Sequence, residues 1–369
     1  MSSLLKFSVS GIVLAAIILS QKWYEEEWFK ESLRIIPDLQ EGVSETSASI
    51  WKIYSDYGLV LISANPIIYS FLQVNNRPLF FYFIIVFLAA NGLSQVLKLH
   101  DHEARPFWVG PDVQAFSCSN GYGNPSGHCT IVTASILAFY LSMYDSARTG
   151  QNQQISVCKR NWIFRILNGV IGLALIATIA YSRMILGVHS LNQVVYGTLL
   201  GVWLGFALHF VMRDAILSHI RGLLKEEGRT DADLRKNALV ACGLFVGVFG
   251  VMILTYEAVE ATFENPIAWK LMITEKCEAE KLEGAFESSA MEKFGFNSAA
   301  WGTYFGFLAN CKYSTGAGGG QRTSKFADLS IRKKMVMVGL AFLLVAPWIA
   351  LNLLIGLAKF ENGYVRLLI

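Results

Sequence analysis

The sequence is poor in charged residues. Only 16% of its 369 residues are Asp, Glu, Lys or Arg, whereas soluble domains carry about 25%. In contrast, 53% of the residues are hydrophobic and the mean hydropathy is +0.42. This composition indicates a protein that crosses a membrane several times. The basic residues are spread over several loops instead of forming one patch, so nucleic-acid binding finds no support.

Several sequence features are missing as well. The chain has no long Pro- or Ser-rich linker, no internal repeat and no heptad array, which favours a single membrane domain. It has no residue spacing typical of a metal site and no Asn-x-Ser/Thr glycosylation site with a permitted middle residue. The glycine-rich stretch 316–320 lacks the strand and the Lys-Ser/Thr pair of a phosphate-binding loop, so it predicts a flexible linker.

Nine apolar runs are long enough to cross the roughly 30 Å hydrocarbon core of a bilayer. They lie at 5–20, 57–74, 78–97, 129–144, 162–181, 190–212, 238–256, 297–311 and 335–357. The sequence therefore predicts an all-α fold, a polytopic membrane bundle of about nine transmembrane helices. We expect residues 1–22 to be a signal-anchor span, because no small-residue cleavage site follows it. Residues 23–56 are expected to form a lumenal segment with an amphipathic surface helix at 22–38, and residues 57–369 a membrane-embedded domain.

The charged residues distinguish the two sides of this predicted bundle. One side has 18 Lys and Arg against 7 Asp and Glu, and the other has 13 against 21. Since Lys and Arg are enriched in cytoplasmic loops, the first side is predicted to be cytoplasmic. The opposite side carries the acidic loop 257–296, which is long enough for a short helix or a lid over a site.

Three polar motifs also fall on that opposite side. They are Lys98-x6-Arg105-Pro106, Pro125-Ser126-Gly127-His128 and Ser182-Arg183-x5-His189. In the second motif, Pro125 fixes a turn, Ser126 can cap a helix and Gly127 leaves its amide open. The helix that starts there presents unpaired N–H groups and a positive partial charge, which favour a bound phosphate.

The charged residues of these motifs suit phosphoryl transfer. That reaction concentrates negative charge on three oxygens, and Lys98, Arg105 and Arg183 supply fixed positive charges for them. With three such cations we expect no metal and no other cofactor, and the motifs lack the carboxylates of a magnesium site. A histidine titrates near physiological pH, so His128 and His189 are suited to nucleophilic or acid–base roles.

The order and spacing of the three motifs resemble the signature of the type 2 phosphatidic acid phosphatase (PAP2) superfamily. The resemblance implies a PAP2/haloperoxidase-like helical core and a phosphatase activity. It implies that His189 attacks phosphorus to form a phosphohistidine, while His128 protonates the leaving oxygen and later activates water. The phosphate would be bound by Lys98, Arg105, Ser126, Gly127, His128 and Arg183.

One residue of the third motif region differs from the pattern of many lipid phosphatases, and this difference points to a narrower family. Many lipid phosphatases of the superfamily have Asp four residues after the nucleophile, and this chain has Gln193. The pattern His189-x3-Gln193-Val-Val is similar to the glucose-6-phosphatase catalytic subunit family, as are Phe107-Trp108 after Arg-Pro and Cys118 ahead of the second motif. This implies hydrolysis of a sugar phosphate, foremost glucose 6-phosphate, at a lumen-facing site in the endoplasmic reticulum membrane. A sugar-phosphate transporter in the same bilayer is the implied partner.

Several roles stay open at this stage. Phe107 and Trp108 are candidates either for packing on a sugar ring or for an aromatic belt at the membrane interface. Asn124 is a further candidate substrate contact, and Gln193 and Pro125 are expected to support the site. Cys118 and Cys277 both lie in non-cytoplasmic loops, where either a disulfide or two free thiols are compatible with the sequence.

The stretch 100–103, His-Asp-His-Glu, is either a metal site or a set of solvated residues at the mouth of the active site. We favour the latter because neighbours on a helix point in different directions.

Two other functions are compatible with the sequence. A lipid phosphate or polyprenyl diphosphate phosphatase is the second candidate function, and it requires a lateral opening between helices near residues 183–195. An inactive family member that serves as a binding protein is the third, and the intact motif residues argue against it.

Overall fold

The computed structural model describes residues 3–72, 77–144, 162–225, 230–277 and 286–314. These residues form helices and their connections, and no β-strand occurs among them. The predicted span 335–357 and the glycine-rich stretch 316–320 lie outside the described residues.

The helices are numbered in chain order. They are α1 (Ser3–Gln40), α2 (Glu45–Leu72), α3 (Arg77–Asp101), α4 (Pro106–Val109), α5 (Gly127–Tyr144), α6 (Trp162–Ile185), α7 (Leu191–Ala207), α8 (Arg213–Leu224), α9 (Asp231–Thr262), α10 (Ile267–Lys276), α11 (Phe286–Gly295) and α12 (Ser298–Ser314). A π-helical turn, Leu208–Met212, joins α7 to α8 without a break.

Six described helical segments are long and apolar enough to cross a membrane. They are Leu4–Gln40, Pro78–Val109, Gly127–Tyr144, Trp162–Ile185, Leu191–Leu224 and Asp231–Thr262. The all-helical membrane architecture is thus supported, but the predicted count of about nine spans is not confirmed. Helices also cover the described part of the run at 57–74, up to Leu72 in α2, and residues 298–311 of the run at 297–311, in α12. Since α12 has only 17 residues, it is about 26 Å long and short of the bilayer core.

The N-terminal region differs from the prediction. The first span and the surface helix predicted for 22–38 are one continuous helix, α1, because no residue between them breaks a helix and Pro37 lies in the last turn. Ion pairs spaced three or four residues apart, such as Lys22–Glu25 at 3.0 Å, favour this continuation. The second half of α1 packs against the bundle, where Ile36 is fully buried. The predicted boundaries at residues 22 and 56 therefore fall inside α1 and α2.

Close packing of α5 against α7 forms the centre of the bundle. A Cβ atom at Gly201 would lie 2.7 Å from the carbonyl oxygen of Thr130, so only glycine permits this approach. Gly197 faces the backbone of Ser126 in the same way. Further along, the amide of Ser126 donates to the carbonyl of Gln193 at 3.0 Å. This packing brings the second and third motifs together.

The end of the bundle that carries the motifs is covered by a cap, which we define as residues 102–126 with α10 and α11. Its core is a cluster of buried or partly buried aromatic rings from both parts, namely Trp108, Tyr122, Trp269 and Phe286, and Phe263 at the end of α9 packs against them. A disulfide joins Cys118 to Cys277, with 6.1 Å between their Cα atoms. Of the two alternatives left open by the sequence, the structure contains the bridge.

Candidate active site

The three motifs converge where the cap meets the helix bundle. Arg105 of the first motif lies with its Nη1 atom 3.3 Å from Nε2 of His189 in the third. His128 and Arg183 approach the same carboxylate oxygen of Asp56, at 3.3 Å and 3.4 Å. The chain thus assembles two histidines and several cations from α3, α5, α6 and the connections that follow α3 and precede α7 in one place.

His189 is held in a defined orientation by Gln193. Nδ1 of His189 lies 3.1 Å from Oε1 of Gln193, and the amide nitrogen of Gln193 donates to the carbonyl of Ala104 at 2.8 Å. The second bond fixes which end of the amide faces the ring, so Oε1 accepts and Nδ1 carries the proton. Nε2 is then left unprotonated, and it faces Arg105. This is the tautomer that a nucleophile requires.

The surroundings of His189 also keep it uncharged. The residue is 2% exposed, and burial together with the neighbouring cations lowers its pKa well below the usual range for histidine. A turn at Gly187, which has a φ of 73°, directs the chain from α6 into this position. Gly123 is equally required, because a side chain there would overlap the amide of Gln193.

Lys98, Arg105 and Arg183 are all buried. The backbone holds the first two: Lys98 donates to the carbonyl of Tyr122 at 2.7 Å, and Arg105 donates to the carbonyls of Tyr122 and Val188 at 3.2 Å and 2.8 Å. A cluster of buried cations is costly unless an anion compensates it. The arrangement therefore fits a site for a phosphate group.

Asp56 is a site residue that the sequence analysis missed. It comes from α2, and Arg183 donates to it at 3.4 Å and to the adjacent Ser55 hydroxyl at 2.7 Å. Burial raises the pKa of Asp56, but His128 and Arg183 outweigh this effect and the net shift is downward. Asp56 is thus an anion that orients both motif residues. Its only signal in the sequence is a carboxylate at the start of an apolar run.

The second motif forms the floor of the site. Ser126 is fully buried, and Gly127 begins α5, with His128 in its first turn. Asn124 is also fully buried, and within the described residues neither polar atom of its side chain has a hydrogen-bond partner. Leaving such groups unsatisfied costs about 1–3 kcal/mol each, so this amide is available to a ligand.

Phe107 and Trp108 do not form an aromatic belt at the membrane interface, because both side chains are at most 1% exposed. Packing of these rings on a sugar stays a prediction. Trp108 packs against Trp269 and Phe286 of the cap, and the guanidinium of Arg105 lies 6.0 Å from its ring centre. The ring therefore supports the position of Arg105.

The residues at 100–103 also differ from the prediction. Only His100 is solvent-exposed, and it hydrogen-bonds Asp101 at 2.9 Å. His102 packs on the ring of Phe263 with 4.0 Å between centroids, and Glu103 accepts from Asn192 at 2.9 Å. Because the side chains diverge, they do not form a common set of metal ligands, and the predicted solvated mouth holds for His100 alone.

Comparison with known proteins supports the superfamily. Residues 79–216 match the family model of the PAP2 superfamily, so the chain contains a PAP2 domain. Over 128 residues, 31% of the chain, it is 32% identical to glucose-6-phosphatase 3 of Rattus norvegicus. Over 143 residues, 38% of the chain, it is 28% identical to undecaprenyl-diphosphatase of Sulfolobus acidocaldarius.

These matches span 35% and 59% of the relatives' own lengths. No solved structure matches the chain. A PAP2 superfamily domain is thus confirmed over residues 79–216, whereas the narrower glucose-6-phosphatase family is not.

Proposed function

We propose that this protein is an integral-membrane phosphatase that hydrolyses a sugar phosphate, foremost glucose 6-phosphate, through a phosphohistidine on His189. PAP2 superfamily phosphatases hydrolyse phosphate esters. The observation that carries the proposal is the pair of bonds on Gln193, which leaves Nε2 of His189 unprotonated beside Arg105.

In the first step, Nε2 of His189 attacks phosphorus and the bond to the ester oxygen breaks. His128 gives its proton to that oxygen, and the alcohol leaves. In the free enzyme the Nε2 atom of His128 faces Asp56, so the leaving oxygen takes the place of this carboxylate as its partner. Lys98, Arg105 and Arg183 stabilise the charge on the three remaining oxygens.

In the second step, His128 removes a proton from water, which attacks the phosphohistidine. The bond between phosphorus and His189 breaks, phosphate leaves, and both imidazoles return to their starting states. The chain's own cations thus supply the electrostatic stabilisation, and no step of this scheme requires a metal.

The cap and the charge pattern support a sugar phosphate. The site lies where the cap meets the bundle, and the unpartnered amide of Asn124 is suited to a sugar hydroxyl. The bias of Lys and Arg supports a non-cytoplasmic site, which we assign to the lumen of the endoplasmic reticulum. A sugar-phosphate transporter belongs to this proposal, because a charged substrate must cross the bilayer to reach such a site.

A lipid phosphate or polyprenyl diphosphate is the second candidate substrate, and a groove favours it. The groove, of about 250 Å³, lies between α2, α5 and α6 and is lined mainly by apolar side chains, among them Ile62, Ile136, Phe139, Ile171 and Leu175. Its near end is about 9–12 Å along these helices from Asp56, His128 and Arg183. An acyl or prenyl tail reaches that far, whereas a sugar ring does not.

Phosphate release by the purified protein distinguishes these substrates. We expect turnover of glucose 6-phosphate, an acid-labile phosphoprotein in rapid-quench experiments, and loss of both in His189→Ala. Ile62→Trp, which fills the groove, should leave sugar-phosphate hydrolysis unchanged. Turnover of phosphatidic acid or a polyprenyl diphosphate alone, abolished by Ile62→Trp, would instead establish the lipid substrate.

A further inference from the structure

Helix α11 of the cap carries a lysine towards the site that the scheme above does not use. Nζ of Lys293 donates to the hydroxyl of Ser289 at 3.0 Å. Both side chains lie against Gly121: a Cβ atom built there would be 2.8 Å from Oγ of Ser289 and 3.7 Å from Nζ of Lys293. The carbonyl of the same glycine accepts a hydrogen bond from Nε of Arg105. Lys293 and Arg105 therefore lie on either side of one residue of the cap.

The position of Lys293 is fixed by the bundle. Asn91, seven residues before Lys98 on α3, donates to the backbone carbonyl of Lys293 at 2.9 Å and to Oδ1 of Asn297 at 3.2 Å. Beside it, a side chain at Gly92 would overlap the amide of Asn297. The helix that carries Lys98 thus also sets the location of α11.

Most of the charged side chains near Lys293 are positive, like Lys293 itself. Burial, followed by the positive charge of Arg105, lowers the pKa of Lys293 to about 8, with Arg183 adding to the shift. The exposed Glu292 next to it opposes this effect. A lysine placed beside other cations costs folding free energy unless an anion binds among them.

We propose that Lys293 is a fourth cation of the substrate site, which contacts the phosphate of the bound ester from the cap. This inference rests on the proposed function and extends it. Helices α3 and α6 supply Lys98 and Arg183, and the cap supplies Arg105 and Lys293, so substrate affinity depends on the cap being in place. Lys293 contributes to binding and takes no part in proton transfer.

Three variants of the full-length protein test this role. Lys293→Gln removes the charge, and Lys293→Arg keeps it. Lys270→Gln makes the same change at an exposed position on α10 and serves as the matched control. For each we would measure kcat and KM with glucose 6-phosphate, and vanadate binding from its effect on thermal unfolding. If Lys293→Gln does not fold, Lys293→Met replaces it, because it keeps the apolar stem.

We expect Lys293→Gln to raise KM and the vanadate dissociation constant about tenfold, with kcat within about threefold of the wild type. Lys293→Arg should restore most of the affinity, and Lys270→Gln should match the wild type. Unchanged KM and vanadate affinity in Lys293→Gln, or a loss confined to kcat, would overturn the inference.

The vanadate measurement separates this inference from the proposed function. If the wild type hydrolyses none of the tested esters, the proposed function fails. Weaker vanadate binding in Lys293→Gln than in Lys270→Gln would still support a contact between Lys293 and the phosphate group. Equal vanadate binding in the two variants would reject that contact.

Discussion

At the scale of single residues, the two histidines differ in what surrounds them. His189 is enclosed and bonded to Gln193, whereas His128 is partly open and faces Asp56. This difference matches the two proposed tasks, because a nucleophile needs a fixed lone pair and an acid needs access to the leaving group.

This division of roles predicts a dependence on the leaving group. His128→Ala should slow glucose 6-phosphate hydrolysis by about 100-fold or more, and p-nitrophenyl phosphate hydrolysis much less, because p-nitrophenolate hardly needs protonation. His189→Ala should abolish turnover of both esters and the acid-labile phosphoprotein. Steady-state rates with the two substrates provide the measurement. Equal losses with both in His128→Ala would remove the acid role from this residue.

The planar guanidinium of Arg183 predicts a second result. Its Nη1 atom donates to Ser55 and to Asp56 at once. Arg183→Lys keeps the charge but loses the planar pair of N–H groups that can hold two phosphate oxygens, so kcat/KM should fall by at least about tenfold. Arg165→Lys, a conservative change at the opposite end of α6, is the control. If both variants retain wild-type kinetics, Arg183 is not part of the phosphate site.

The sequence predicted the residues that the motifs contain but not those that packing adds. Lys98, Arg105, His128, Arg183 and His189 were identified because their spacing is characteristic. Asp56 belongs to no motif and reaches the site only because α2 packs against α5 and α6. The burial of Phe107 and Trp108 was not predicted, because nothing in their neighbourhood reveals that α10 and α11, more than 150 residues later, cover them.

At the scale of helices, the contact between α5 and α7 depends on glycine. Gly201→Val should push α7 away from the backbone of Thr130, destabilise the protein by about 1–3 kcal/mol and lower kcat. Gly247→Val on α9 is the control, because a Cβ atom there meets nothing within 4 Å. Thermal unfolding in detergent and steady-state rates measure both effects. Equal unfolding temperatures for the two variants would contradict the proposed packing.

The sequence predicted which segments form helices better than it predicted where those helices begin and end. The apolar runs at 78–97, 129–144, 162–181, 190–212 and 238–256 lie in helices, apart from the capping residue Ser190. An apolar run of that length can satisfy its backbone in a bilayer only as a helix. The break predicted between the first span and the surface helix at 22–38 is absent from α1, and it was predicted because the charged second half of α1 has the composition of a surface helix. That half is retained in the bundle by side-chain bonds, such as the one from Gln40 to the carbonyl of Ile185 at 2.7 Å.

At the scale of the whole molecule, the fixed cations predict activity without a divalent metal. Phosphatase activity should survive EDTA, and vanadate should inhibit, because it adopts the five-coordinate geometry of the transition state. Rates measured before and after chelation, with a magnesium-dependent phosphatase as the positive control, test this. Loss of activity in EDTA that magnesium restores would contradict the scheme.

The disulfide predicts sensitivity to reduction. The bridge closes a loop between residues 159 apart, and bonds of this kind contribute about 2–4 kcal/mol. Cys118→Ser should lower the unfolding temperature and raise KM, because the cap is less firmly held over the site. Cys242→Ser, at an exposed free thiol, is the control. If Cys118 and Cys277 are both alkylated in the folded protein without a reductant, the bridge does not form in solution.

The bond between Asn91 and Lys293 joins residues that are 202 positions apart, which has a consequence for biosynthesis. A ribosome that adds about 5–20 residues per second reaches Lys293 on the order of 10–40 s after Asn91. During that interval α3 is already made, but its buried amide has no partner from the cap. A nascent chain released before α11 is synthesised would carry every motif residue and still lack a finished site. Premature termination should therefore yield an inactive product that is a target for quality control.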